Sequence, residues 1–194
     1  MLKYGLIMGF AGWVVCAGMS VRGIALEKAA PEYVEVWNFD DGVFNRLDGI
    51  FNQFQGGTSR AWTRLTDRAF TGAGGRSWAV RGRRTEEGFC GAWIQLFPHH
   101  EPAEARQYLD ATTYPWLTFQ VRGEQGGERF NVKLADAACM DKEDSVYLCA
   151  IDDVLPDGVT TNWQRVNLPL SEVGLDQGID VSRLGNMTFE FTAP

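Results

Sequence analysis

The sequence lacks the patterns on which most enzymes and metal proteins are built. Its 194 residues hold two histidines and four cysteines, with no Cys-x-x-Cys or His-spaced ligand pattern, which removes the basis for a zinc site. The histidines are neighbours, His99 and His100. In extended chain they point in opposite directions, so they neither chelate one ion nor act as one base. Ser77, Ser145 and Ser171 have no Gly-x-Ser-x-Gly context and so no nucleophile elbow. Asp152 and Asp153 are adjacent, whereas glycosidase carboxylates stand about 5 to 10 Å apart across a bound sugar. Gly72-Ala73-Gly74-Gly75 is not followed by Lys-Ser/Thr, so it is a turn and not a phosphate loop. The chain reads as a non-enzyme.

Positive charge is also short. Lys and Arg number 18 against 25 Asp and Glu, a formal charge of -7, so the overall field repels nucleic acid and anionic membranes. Basic residues concentrate locally: Arg60, Arg64, Arg68, Arg76, Arg81, Arg83 and Arg84 face Asp67 alone in their stretch. Ordinary surface ion pairs are the favoured reading of this run, with an anionic glycan as the alternative. There is no internal repeat, no low-complexity linker and no amphipathic helix of three turns, which argues for one domain that is not a helical bundle.

What is present is 12% aromatic residues and 22 glycines, a composition of flat rings and many turns that suits an all-β domain. The first residues are set aside. Lys3, an uncharged run from Tyr4 to Val21, Arg22 and the small residues of Gly23-Ile24-Ala25 read as a secretory signal. The expected organisation is a signal peptide over 1–25, a short lead over 26–33 and a β-sandwich over 34–194. Localisation is then secreted or periplasmic, with no membrane contact beyond that segment; the alternative is an uncleaved membrane anchor.

Short runs alternating in period two predict strands at 34–39, 61–65, 77–82, 91–97, 115–122, 129–135, 145–150, 163–168 and 187–192. Nine strands imply an antiparallel sandwich. Trp116 to Leu134 reads as a hairpin, with Gly126-Gly127 in the turn and Leu117, Phe119 and Val121 facing the same way as Phe130, Val132 and Leu134. Residues 98–113 read as a short helix or a long loop. Cys16 leaves with the signal, and among the remaining three the favoured disulfide is Cys139 to Cys149 across a polar turn; the alternative is three buried thiols.

The strings Asn38-Phe39-Asp40-Asp41-Gly42, Tyr114 to Asp136, Val159 to Leu170 and Leu184 to Phe191 resemble the galactose-binding-like jelly rolls of secreted carbohydrate-binding modules. The pattern is most similar to family-eleven modules and to complex I intermediate-associated protein 30 domains. The resemblance implies two antiparallel sheets, a structural calcium ion with Asp40 as acidic ligand and Asp41 beside it, and a sugar site on a sheet face or loop edge. Hard loop oxygens suit calcium. The resemblance also implies a closing strand of the form Gly-Thr-aliphatic-Tyr-aliphatic-Asp. The sequence up to Pro194 does not carry it, so a jelly roll lacking that strand, with an exposed sheet edge, is expected.

The informative pattern lies opposite the aliphatic residues of the strands. Those positions hold Trp93 and Gln95, then Trp116, Gln120 and Arg122, then Asn131, then Trp163 and Arg165, and finally Glu190. A flat indole covers the apolar face of a pyranose while amide, guanidinium and carboxylate groups pair with its hydroxyls. These nine residues are the expected site for a polysaccharide or oligosaccharide. The rival function is a protein–protein assembly or chaperone-like domain of the intermediate-associated type, whose partner the sequence does not name.

Overall fold

The computed structural model describes residues 4–9, 33–40, 42–67, 75–99, 103–140, 144–170 and 178–192. Among these residues ten strands form two five-stranded antiparallel sheets. They are β1 (Tyr4–Gly9), β2 (Phe51–Gly56), β3 (Arg60–Thr66), β4 (Ser77–Arg83), β5 (Phe89–Gln95), β6 (Trp116–Gly123), β7 (Phe130–Asp136), β8 (Val146–Ala150), β9 (Gln164–Pro169) and β10 (Leu184–Phe191). The first sheet has the order β3-β4-β1-β6-β9 and the second β2-β5-β10-β7-β8. Among the described residues the α-helices are single turns, α1 (Ala137–Met140) and α2 (Ile151–Val154). The all-β sandwich read from the sequence is the observed architecture.

Alternation explains the layers. Trp78 and Val80 of β4 and Phe119 and Val121 of β6 point inward, where they meet Ala92, Ile94, Val132, Phe189 and Phe191 of the second sheet, all essentially without solvent exposure. Phe189 is central: its ring lies 5.5 Å from Phe119, 5.9 Å from Phe130 and 6.1 Å from Trp78, each edge-on. Burying one such ring contributes roughly 1.5–3 kcal/mol.

Three expectations about elements change. The run 34–39 is not a strand. Trp37 and Phe39 are buried and stacked 4.9 Å apart, but Phe39 has a φ of 65°, a left-handed conformation that ends any ladder. The segment delivers rings to the core as a loop. Its place is taken by β2, whose sequence FNQFQG has no apolar alternation to announce it. The expected hairpin is an arch between sheets: β6 pairs with β1 and β9, and β7 with β10 and β8. Both strands turn their apolar residues to one core, so parity alone is the same for strands paired within a sheet and strands stacked across two. The bend is held by Glu128, whose buried carboxylate accepts the N–H groups of Gln125 and Gly126. Gly126 and Gly127 take φ values of 85° and 79°, which glycine adopts freely.

Residues 103–105 make one 3-10 turn, after which Leu109 bridges to Leu184. The last strand, β10, is the centre of the second sheet, paired with β5 and β7. The centre of the first sheet is β1.

Candidate functional site

In the second sheet, Cys90, Ala92 and Ile94 of β5 point inward and Trp93 and Gln95 outward; Phe130, Val132 and Leu134 of β7 point inward and Asn131 and Lys133 outward; Met187, Phe189 and Phe191 of β10 point inward and Asn186, Thr188 and Glu190 outward, with Gln95 and Thr188 covered by their neighbours to 8% and 9% exposure. The ladder pairs Asn52 with Trp93, Trp93 with Thr188, Thr188 with Lys133 and Lys133 with Tyr147. Those five residues therefore make one row across all five strands. Trp93 and Tyr147 stand three strand intervals apart in it, about 14 Å.

Tyr147 is on this face beside a slip of the β7–β8 ladder. Val132 pairs with Cys149 but Lys133 with Tyr147, so Leu148 is an extra residue, and the bulge leaves Tyr147 outward while Cys149 faces the core. The phenol, 42% exposed, reaches the Asp153 carboxylate at 3.4 Å. Burial and that carboxylate push its pKa up, so it remains a neutral hydroxyl.

Between the two rings lies a charge network. The Glu190 carboxylate receives Lys133 Nζ at 2.5 Å and Arg84 Nη1 at 3.4 Å, and the same Arg84 nitrogen donates to the Phe191 carbonyl at 2.9 Å. Phe54 and Phe89 extend the aromatic surface beyond Trp93, their rings 6.2 Å apart and Phe89 half exposed. Gly91 makes this possible, because a Cβ there would meet the Phe54 ring at 2.6 Å.

The first sheet has its own outer face. Trp62 and Trp116 are 55% and 56% exposed. Arg122 lies over the Trp163 ring at 5.9 Å. Asn167 Oδ1 accepts Thr118 Oγ1 at 3.0 Å and Arg165 Nε at 3.2 Å. Arg165 pairs in register with Gln120.

The nine residues singled out in the sequence thus divide. Trp93, Gln95, Asn131 and Glu190 share the outer face of the second sheet, while Trp116, Gln120, Arg122, Trp163 and Arg165 share that of the first. The faces lie on opposite sides of the sandwich, so no single ligand touches both sets. Alternation assigns a side of a strand and not a sheet. Lys133, Tyr147 and Trp62 were missed as site residues. All three alternate with inward neighbours, Tyr147 between Val146 and Leu148, so the signal was usable; the bulge only brings Cys149, of the same parity as Tyr147, to the core side.

The arginine-rich stretch resolves largely into pairs: Arg76 with Asp67 at 3.3 Å, Arg81 with Glu124, and Arg84 with Glu190, while Arg60 donates to the Ser59 carbonyl at 2.7 Å. Arg68 and His100 lie outside the described residues.

Asp40 Oδ1 accepts the Arg76 N–H at 2.6 Å, tying the Trp37–Asp40 loop to the entry of β4. Asp41 lies outside the described residues, and among the described residues no group of three His, Cys, Asp or Glu side chains converges. The one carboxylate placed here suits a calcium ion only together with Asp41 and carbonyl oxygens.

The expected Cys139–Cys149 bridge is absent: Cys90, Cys139 and Cys149 are free thiols. Cys139 ends up in α1, where its N–H donates to Asp136 Oδ1 at 2.9 Å. The β8 bulge turns Cys149 into the core opposite Val132. The two thiols are anchored by different elements and not by the turn between them. Burial and Asp153 push the Cys149 thiol up to about 11, and burial raises Cys90.

A family model described as carbohydrate binding domain 30 matches residues 57–193. The chain belongs to that family. The match contains β3 to β10 and therefore four of the five strands of the second sheet. A solved "Crystal Structure of Family 30 Carbohydrate Binding Module" is similar at 20% identity and a TM-score of 0.37, covering 53% of this chain and 66% of that one. No curated protein matches. The carbohydrate-binding class read from the sequence is therefore the class of this module.

Proposed function

We propose that this module binds a polysaccharide on the outer face of its second sheet, and that it is secreted and non-catalytic. The observation that carries the reading is the row from Asn52 through Trp93, Thr188 and Lys133 to Tyr147, which sets two ring-bearing side chains at either end of a polar centre. A sugar ring lies flat on Trp93 and another meets Tyr147, and the hydroxyls between them find Asn131, Lys133 and Glu190. Glu190 is already fixed by two cations, so little side-chain freedom is lost on binding. The same ion pairs engage that carboxylate, which serves recognition and not proton transfer. Export follows from the Tyr4 to Ala25 pattern, and a calcium ion at Asp40 and Asp41 would be structural.

A second reading places the ligand on the first sheet, because Trp62 and Trp116 each leave more than half of a large indole in water. Affinity electrophoresis of the full chain in gels containing soluble neutral and uronic polysaccharides separates the two. Retardation reduced in Trp93→Ala and unchanged in Trp116→Ala assigns the second sheet. The reverse assigns the first, and no retardation by any polysaccharide rejects both.

A further inference from the structure

The strand β1 stands apart from the rest of the sandwich. It pairs antiparallel with β4, from Tyr4 opposite Gly82 to Met8 opposite Trp78, and with β6, from Leu6 opposite Gly123 to Gly9 opposite Gln120. Among the described residues nothing else joins β4 to β6. Without β1 the first sheet becomes two ribbons, β3-β4 and β6-β9, and each presents an unpaired inner edge whose N–H and C=O groups need partners. Those edges carry core residues: Trp78 and Val80 on one side, Phe119 and Val121 on the other, all buried. Leu6 takes the register position beside Val80, and Met8 those beside Trp78 and Val121. Yet β1 lies outside the family match, which begins at residue 57, and within the run that reads as an export signal.

We propose that the space between β4 and β6 is a strand-accepting slot whose occupant is this chain's own Tyr4–Gly9 segment. This requires that the Tyr4 to Ala25 run be kept and not cleaved after Ala25: the segment is then a working part of the folded module, and whatever removes it opens two sheet edges that bind an apolar strand by main-chain pairing, the recognition mode of β-strand addition. The proposal is independent of which face holds sugar.

Two measurements on the full chain test it. Amide hydrogen exchange is compared between the unaltered protein and Ile7→Pro, since proline removes a ladder donor and is not accommodated in a central strand. The expected result is a loss of protection of about tenfold or more at residues 78–82 and 120–123, with a smaller change at residues 187–191 of the second sheet. Equal exchange in the two proteins overturns the slot. Should Ile7→Pro fail to fold, register is read from cysteine pairs. Ile7 and Ala79 are Cα partners, at a separation a disulfide spans, so Ile7→Cys with Ala79→Cys forms a 7–79 bridge on mild oxidation. Ile7→Cys with Val80→Cys, one residue out of register and on the opposite face, does not. Peptide mass mapping that finds no 7–79 bridge, or finds both in equal yield, rejects the assignment.

Discussion

Lys133 on β7 and Glu190 on β10 meet diagonally across the second sheet, Nζ to carboxylate 2.5 Å, with their side chains only 25% and 18% exposed. A pair this enclosed is stronger than a surface bridge, and losing one member strands a partly desolvated charge. Glu190 also holds Arg84, so Glu190→Gln leaves two cations facing a neutral amide. The expected cost is about 1–3 kcal/mol, a fall of several degrees in Tm by calorimetry. Lys133→Met restores part of it in the double variant, because the excess positive charge is gone. Additive losses would show that the two side chains are independent.

Asp136, at the end of β7, ties three segments together. Its Oδ1 accepts the Cys139 N–H and its Oδ2 the Asp180 N–H, each at 2.9 Å. Burial alone raises its pKa, but these donors outweigh burial and hold the carboxyl below the ordinary aspartate value. A depressed folded-state pKa gives stability that is fully present above the unfolded value near 3.9 and lost as pH falls through the folded one. Urea midpoints of the unaltered protein should therefore drop as pH is lowered below about 4. Asp136→Asn should be less stable by about 1–3 kcal/mol at pH 7 and show a flatter acid limb.

How much of this was legible in the sequence depends on what each signal encodes. Strict alternation placed β3, β4, β6, β7 and β9 to within a residue or two, because inward Val80, Phe119, Val121 and Val132 repeat every second position. It said nothing about partners, which is why the Trp116–Leu134 arch looked like a hairpin and why the nine site residues fell on two faces. The loop rings Trp37 and Phe39 had strand-like composition, but the positive φ of Phe39 is set by tertiary packing. The β8 bulge, a one-residue event with no compositional mark, turns Cys149 to the core although it has the same parity as the outward Tyr147.

Gly123 closes β6 where a Cβ would fall on the Glu128 carboxylate. Since Glu128 organises the arch through Gln125 and Gly126, Gly123→Ala should displace it and cost about 1–3 kcal/mol. The loss should appear as a lowered urea midpoint and as faster exchange at the amides of 125 and 126. An unchanged midpoint would mean the loop relaxes freely.

The three described thiols give a simple titration. Cys90 is fully buried, and Cys149 is pushed up to about 11, so near pH 8 iodoacetamide should modify neither at an appreciable rate in the folded protein. After denaturation without reductant, Cys90, Cys139 and Cys149 should all carry the label by peptide mass. A Cys139–Cys149 peptide linked by a disulfide would overturn the assignment of free thiols.

The two outer faces make opposite predictions for tryptophan. Trp93 is half-buried between Asn52 and Thr188 in the ladder, and the sugar it meets gains the stacking of one ring, about 0.5–1.5 kcal/mol. Trp93→Ala should therefore weaken polysaccharide binding by roughly two- to tenfold by calorimetric titration, and Tyr147→Ala should do the same on the far side of Lys133. Trp62→Ala and Trp116→Ala remove side chains that are mostly in water, so Tm should shift by no more than a degree or two for either, with affinity unchanged. If instead the two exposed indoles control affinity while Trp93→Ala and Tyr147→Ala leave it intact, the sugar lies on the outer face of the first sheet. The row through Lys133 is then only the polar outside of a sheet.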